Sequence, residues 1–182
     1  MIWGNRLYTI LPVVVFAALA VSLSLSLTHD PKVIPSMLQD RPLPNFELPP
    51  LIRNQSSLRS DEISARGFTI INVFSSWCGG CRNEHPMLLQ LAKDKRFTLI
   101  GLNWKDDPEN ARKFLETYGN PFVKVGADIS GRTGIDLGVS GVPETFLIDT
   151  HGRVRLRIPG PLSPEIWKNE FEHLLSPEEP TS

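Results

Sequence analysis

Apolar positions fall into blocks with two different periods along the chain. Phe68-Thr69-Ile70-Ile71-Asn72-Val73-Phe74 is an almost unbroken apolar, β-branched run. That is the pattern of a strand covered on both faces of a sheet. Phe97 to Trp104 repeats it. Between them Met87, Leu88, Leu91 and Ala92 recur at helical spacing, which predicts a helix over Arg82 to Lys93. Strand, helix and strand in this order make a βαβ unit. Asp107-Pro108 then opens a second helix, Pro108 to Tyr118, with Ala111, Phe114 and Leu115 on its apolar side and Gly119 at its end. Phe122 to Val125 is a short apolar segment, and Gly131 to Gly141 reads as a short helix followed by a loop. Thr145 to Asp149 and Val154 to Ile158 flank the turn residues Thr150-His151-Gly152 and predict a β-hairpin. Ser163-Pro164 supplies a cap and a first-turn proline for a last helix with Ile166, Trp167, Phe171, Leu174 and Leu175 facing the core. The sum is an α/β chain with a central mixed sheet flanked by helices.

The N-terminal part follows a different rule. Residues 7–27 carry no charge, and ~20 such residues cross a bilayer as a helix. Trp3 and Tyr8 stand where interfacial aromatics sit, and Arg6 precedes the run, which favours an N-terminus (1–6) on the cytoplasmic side. Ala18-Leu19-Ala20 resembles a signal cleavage site. The apolar character continues beyond it, longer than the ~7–15 residues of a signal-peptide core, so an uncleaved signal anchor is preferred over a cleaved signal. The expected organisation is a transmembrane helix at 7–27, a linker at 28–38 with Pro31 and Pro35, a folded domain at 39–176 and a polar tail at 177–182. Arg41 to Pro50 is too rich in proline for a central strand and reads as extended edge or hairpin structure. Arg59 to Gly67 reads as polar turn or short helix.

With 182 residues, a single folded domain is the natural expectation. A net charge of −1 gives no electrostatic reason to expect nucleic acid as a partner. Arg153, Arg155 and Arg157 alternate, which puts all three on one strand face, read here as solvated rather than as an anion site.

The chemistry lies in Trp77-Cys78-Gly79-Gly80-Cys81, which holds the only two cysteines of the sequence. Two cysteines at this spacing, between a buried strand and a helix, read as the redox dithiol of a thioredoxin-like unit. A four-residue disulfide loop constrains the unfolded chain too little to be a good staple, about 2 kcal/mol. Cys78, Cys81 and His85 offer three metal ligands, but no second cysteine pair completes a tetrahedral site. Haem attachment needs histidine where Arg82 stands. Neither metal nor cofactor is expected.

At a helix N-terminus Cys78 meets free N–H groups and the positive dipole end, which favour its thiolate. Cys78 therefore attacks and Cys81 resolves the mixed disulfide. Glu84, three residues after Cys81, leaves two readings open: a solvated helix-face residue, or a carboxylate that opposes a Cys81 thiolate and accepts its proton. Val142-Pro143 is either a turn proline or a cis bond beside the active site. Trp77 either packs over the disulfide or fills core, and His85 reads as helix surface or packing rather than a base.

Four stretches together resemble the DsbE/CcmG proteins, membrane-anchored periplasmic thioredoxin-like reductases of cytochrome c maturation. They are Trp77 to Pro86 (WCGGCRNEHP), Gly101 to Asp107 (GLNWKDD), Gly119 to Phe122 (GNPF) and Gly138 to Asp149 (GVSGVPETFLID). The resemblance runs from Gln39 to Leu175. It implies a thiol:disulfide oxidoreductase of the bacterial inner membrane, with its domain in the periplasm. That enzyme would reduce the disulfide of an apocytochrome c CxxCH motif or of a maturation partner, and a membrane thiol-electron donor would recharge it. The resemblance also implies a cis peptide before Pro143 and an acidic environment from Glu84 and Glu144 beside the cysteines. Gly79-Gly80 departs from the proline-containing dipeptide common in the family, and Ser140 stands where tyrosine is frequent. Three other functions fit parts of the pattern: a broader periplasmic thiol reductase, a copper chaperone using Cys78, Cys81 and His85, and an adaptor that only holds an unfolded peptide.

Overall fold

The structure is a computed structural model that describes residues 4–27, 40–64 and 67–175. It divides into two units, Met1–Ile34 and Pro35–Ser182. The first contains helix α1 (Gly4–Leu27). Its side chains are described over 11–22, where Leu11, Val13, Val14, Val15, Phe16, Leu19 and Val21 are all exposed. Among the described residues no helix is long and apolar enough to cross a membrane. The expected linker at 28–38 and tail at 177–182 lie outside the described residues.

The second unit is built on a five-stranded sheet. Its strands are β3 (Thr69–Phe74), β4 (Thr98–Trp104), β5 (Lys124–Asp128), β6 (Glu144–Ile148) and β7 (Val154–Pro159), in the order β5-β4-β3-β6-β7. β3, β4 and β5 are parallel, while β6 runs antiparallel to β3 and β7 antiparallel to β6. A small antiparallel pair, β1 (Glu47–Leu48) with β2 (Leu58–Arg59), precedes it and leads into α2 (Ser60–Ser64). Three helices follow the βα order: α3 (Gly79–Leu91), α4 (Pro108–Tyr118) and α5 (Arg132–Asp136). The last helix starts at α6 (Pro164–Ile166), passes through a π turn at Trp167–Phe171 and ends as α7 (Glu172–Leu175).

Alternation along β3 explains the two cores. Ile70 and Phe74 pack with Leu88 of α3, Phe114 and Leu115 of α4, and Trp167 and Phe171 of the last helix. Ile71 and Val73 face the other way, onto Leu43, Leu48, Leu58 and Ile63 of the N-terminal segment and onto Leu137 after α5. The proline-rich entry is edge structure as expected, with Pro42 bridged to Arg153 and Pro50 to Gly126.

Three readings change. The 122–125 segment leads into a full parallel strand, β5, that starts at Lys124 and runs on to Asp128, its outer edge closed by backbone bonds from Leu51 to Val125 and from Ala127 to Pro49. The helix expected to begin at Arg82 begins at Gly79, so Cys78 is its N-cap and Cys81 sits in its first turn. The arginine face of β7 is solvated at Arg153 and Arg155, as expected, but not at Arg157, which turns in onto buried Glu144. Arg157 pairs with Glu144, Arg155 with Asp149 and Asp40, and Arg153 donates to the Asp40 carbonyl.

Candidate functional site

The sheet ends β3 at Phe74, and Ser75-Ser76-Trp77 carries the chain to α3. Ser75 Oγ donates to the Trp104 carbonyl at 2.5 Å. Asp106, buried just after β4, accepts from Ser76 N at 2.6 Å, Ser76 Oγ at 2.8 Å, Asn103 Nδ2 at 2.9 Å and Asp107 N at 2.9 Å. One carboxylate thus pins the loop before the dithiol to the loop after β4. Sequence reasoning did not single out Asp106; the GLNWKDD stretch held it, but nothing in the spacing marked its burial.

Cys78 caps α3 with extended backbone and is disulfide-bonded to Cys81, the Cα atoms 5.3 Å apart. The Cys81 N–H points at Cys78 Sγ at 3.0 Å. This is the free first-turn donor that favours a thiolate at Cys78 once the bond is reduced. Cys78 is 5% exposed and Cys81 2%, so both residues are buried in the oxidised pair.

Trp77 fills no core. It is 59% exposed, and its indole N–H donates to the Lys105 carbonyl at 3.2 Å. His85 is buried packing: its ring stands edge-on to Phe114 and Nε2 pairs with the Gly119 carbonyl at 2.8 Å. Burial pushes its pKa down, and that hydrogen bond offsets part of the effect. Among the described residues no three His, Cys, Asp or Glu side chains gather to hold a metal ion, so Cys78, Cys81 and His85 do not form such a set.

The Val142-Pro143 bond is cis. A Cβ on Gly80 would meet Pro143 Cδ at 3.0 Å and Pro161 Cγ at 3.2 Å, so both proline rings rest against the backbone between the cysteines. The Pro143 carbonyl accepts from Gly160 N at 2.9 Å, which ties the two proline loops together. Half-buried Val142 packs against both cores. Glu144, the next residue, is fully buried on β6. It accepts from Ser140 N at 3.0 Å and is paired with Arg157 Nε. Its carboxylate is neutralised there rather than left as a free charge.

Glu84 is not a solvated helix-face residue. It is 2% exposed. Oε1 accepts from Asn72 Nδ2 at 2.8 Å, and Oε2 accepts from the Leu162 N–H at 2.6 Å. Burial pushes its pKa up to about 7; the Leu162 and Asn72 hydrogen bonds pull the other way without cancelling it. Asn72 and the 160–162 turn were missed in the sequence because their roles depend on partners far along the chain. Gly160-Pro161 was the available turn signal.

The comparisons with known proteins agree with this geometry. The Redoxin family matches residues 38–175. The probable thiol:disulfide interchange protein DsbE-2 of Pasteurella multocida is 40% identical, over 90% of this chain and 86% of that protein. DsbE of Escherichia coli K12 is 36% identical, over 93% of this chain and 94% of its own length. The chain belongs to the DsbE family of thiol:disulfide interchange proteins. Among solved structures, a putative DsbE from Chlorobium tepidum superposes with a TM-score of 0.64 at 27% identity, over 74% of this chain and 96% of that one. The fold is thioredoxin-like, and the Cys78–Cys81 pair makes this DsbE-family chain a thiol:disulfide oxidoreductase.

Proposed function

We propose that this protein is a reductant in cytochrome c biogenesis. Its reduced dithiol opens the disulfide of an apocytochrome c CxxCH motif, or of a maturation partner. Cys78, as thiolate, attacks one client sulfur and forms a mixed disulfide. Cys81 gives its proton to Glu84 and attacks Cys78 Sγ. The Cys78–client bond breaks, its electron pair leaves on the client sulfur, and the Cys78–Cys81 disulfide forms. Trp77 offers the client an exposed apolar shelf, and Val142-Pro143 flanks the exchange on the other side. Glu144, held by Arg157, fixes the strand that starts behind Pro143.

The observation that carries the direction is the buried Glu84 three residues after Cys81, with no cation paired to it among the described residues. A carboxyl that titrates near neutrality can accept the Cys81 proton. Once ionised, it disfavours a second anion beside it and so disfavours the reduced dithiol. In the same proposal residues 7–27 anchor the chain in the inner membrane, with the dithiol domain on the periplasmic side. The uncharged run and the exposed apolar side chains at 11–22 support this reading. A membrane thiol-electron carrier then supplies the electrons.

Cys81→Ser tests the role. It leaves Cys78 locked to its client, and mass spectrometry of the trapped adduct identifies the partner. An apocytochrome c or a cytochrome maturation protein is expected. Recovery of unrelated exported proteins alone makes the protein a broad reductase instead.

A further inference from the structure

Asn72 is fully buried at the centre of β3, and the mechanism so far gives it no part. Its Nδ2 donates to Glu84 Oε1 at 2.8 Å and to Thr145 Oγ1 at 3.1 Å. Thr145 is its cross-strand partner on β6. Asn72 Oδ1 is also buried, and among the described residues it accepts from nothing. A spare buried acceptor is costly, and this one shares its side chain with the donor that holds Glu84.

We propose that Asn72 is a positioning residue that follows the proton: its side-chain amide turns over when Glu84 accepts the proton of Cys81. The inference rests on the reading of Glu84 as the base for Cys81. In that step the Cys81 S–H proton moves to Glu84. The sulfur's electron pair forms the bond to Cys78, and the pair of the broken Cys78–client bond leaves on the client sulfur.

A carboxylate only accepts, so with Glu84 ionised both Asn72 N–H bonds find acceptors, at Oε1 and at the Thr145 hydroxyl oxygen. A carboxylic acid also donates. The Leu162 N–H already occupies Oε2, which leaves the acid proton to Oε1, the oxygen facing Asn72. An N–H there would oppose an O–H. A half-turn of the amide puts Oδ1 in the place of Nδ2. It then accepts from the Glu84 O–H and from the Thr145 O–H, whose hydrogen is free to rotate. The two amide ends have nearly the same shape, so the core need not repack. Each orientation leaves the opposite end unpaired, so neither is locked, and the carboxyl proton decides between them.

The groups that face Glu84 are few. The sheet brings the Asn72 amide, backed by Thr145, and the loop after β7 brings the Leu162 N–H. On its own helix the three-residue spacing sets Cys81, titratable once reduced, on the same side as Glu84, while the adjacent His85 pairs with the Gly119 carbonyl. No ion pair reaches the carboxyl among the described residues.

The test is an NMR titration of the oxidised full-length chain in detergent micelles, with the Glu carboxyl and Asn amide groups isotope-labelled. Above the Glu84 midpoint the Asn72 N–H protons are expected to show contacts to the Thr145 methyl. Below it they lose those contacts, at the same midpoint. Asn72→Leu, which removes one donor from the carboxylate, is expected to raise the Glu84 midpoint by about one pH unit. It should move the pH profile of the resolving step by the same amount. Contacts that persist on both sides of the midpoint overturn the proposal, and so does an unmoved midpoint in Asn72→Leu. Should that variant fail to fold, the titration of the unmutated chain decides. The base reading is tested separately: an unchanged resolving-step pH profile in Glu84→Gln removes it, while the amide titration is read without turnover.

Discussion

Replacing Glu84 with glutamine tests the electrostatics of the site without touching a sulfur. In the folded chain the carboxyl titrates at about 7, against 4.5 for the ordinary group. Between these values the folded chain binds the proton and the unfolded chain does not. The stability contributed is therefore complete below about pH 4.5 and is lost as pH rises through 7. The shift corresponds to about 3 kcal/mol. Glutamine keeps the shape and one acceptor but cannot ionise. Between pH 4.5 and 8.5, E84Q should therefore lose about 3 kcal/mol less stability than the unmutated protein. His85 titrates in the same window with its pKa lowered by burial, but it is present in both chains and cancels in the difference. Urea unfolding of the oxidised full-length proteins in a non-ionic detergent, at several pH values, gives the two curves. Parallel curves refute the reasoning, because they mean that Glu84 is no more burdened by ionisation in the fold than in the unfolded chain.

Other consequences follow from particular contacts. Gly79→Ala meets nothing within 4 Å, whereas Gly80→Ala meets Pro143 at 3.0 Å and Pro161 at 3.2 Å. The first should be neutral or slightly stabilising and the second should cost about 1–2 kcal/mol, read by thermal unfolding of the pair. Arg157→Met strands the fully buried Glu144 carboxylate, and a loss of about 3 kcal/mol or more is expected in denaturant titration. Asp106→Ala removes the acceptor of four hydrogen bonds around the loop before Cys78. It should cost about 3 kcal/mol in the same assay and slow attack by Cys78 on a small disulfide.

Much of the frame was readable because it rests on local signals. The apolar runs of β3 and β4 have no polar face to disguise them, and Asp107, Pro108 and Gly119 punctuate α4 where the structure caps it. β5 was obscured because Lys124, Gly126 and Asp128 interrupt a run of five residues. Its identity comes from pairing with β4 and from the 49–51 segment lying along its edge. The dithiol was legible from spacing alone. The side chains around it were not, since each acts through a distant partner: Glu84 through Asn72 and Leu162, Glu144 through Arg157, Ser76 through Asp106. Burial turned a helix-face glutamate into a carboxyl near neutrality, and one-dimensional spacing carries no record of burial.

The central claim is that the Cys78–Cys81 pair works as a reductant, and its equilibrium reduction potential tests this most directly. The measurement equilibrates the protein with dithiol and disulfide buffers and counts the two thiols by alkylation. The account predicts a potential more negative than the ~−180 mV of a disulfide isomerase. A value near the ~−120 mV of a strong periplasmic oxidant would contradict it.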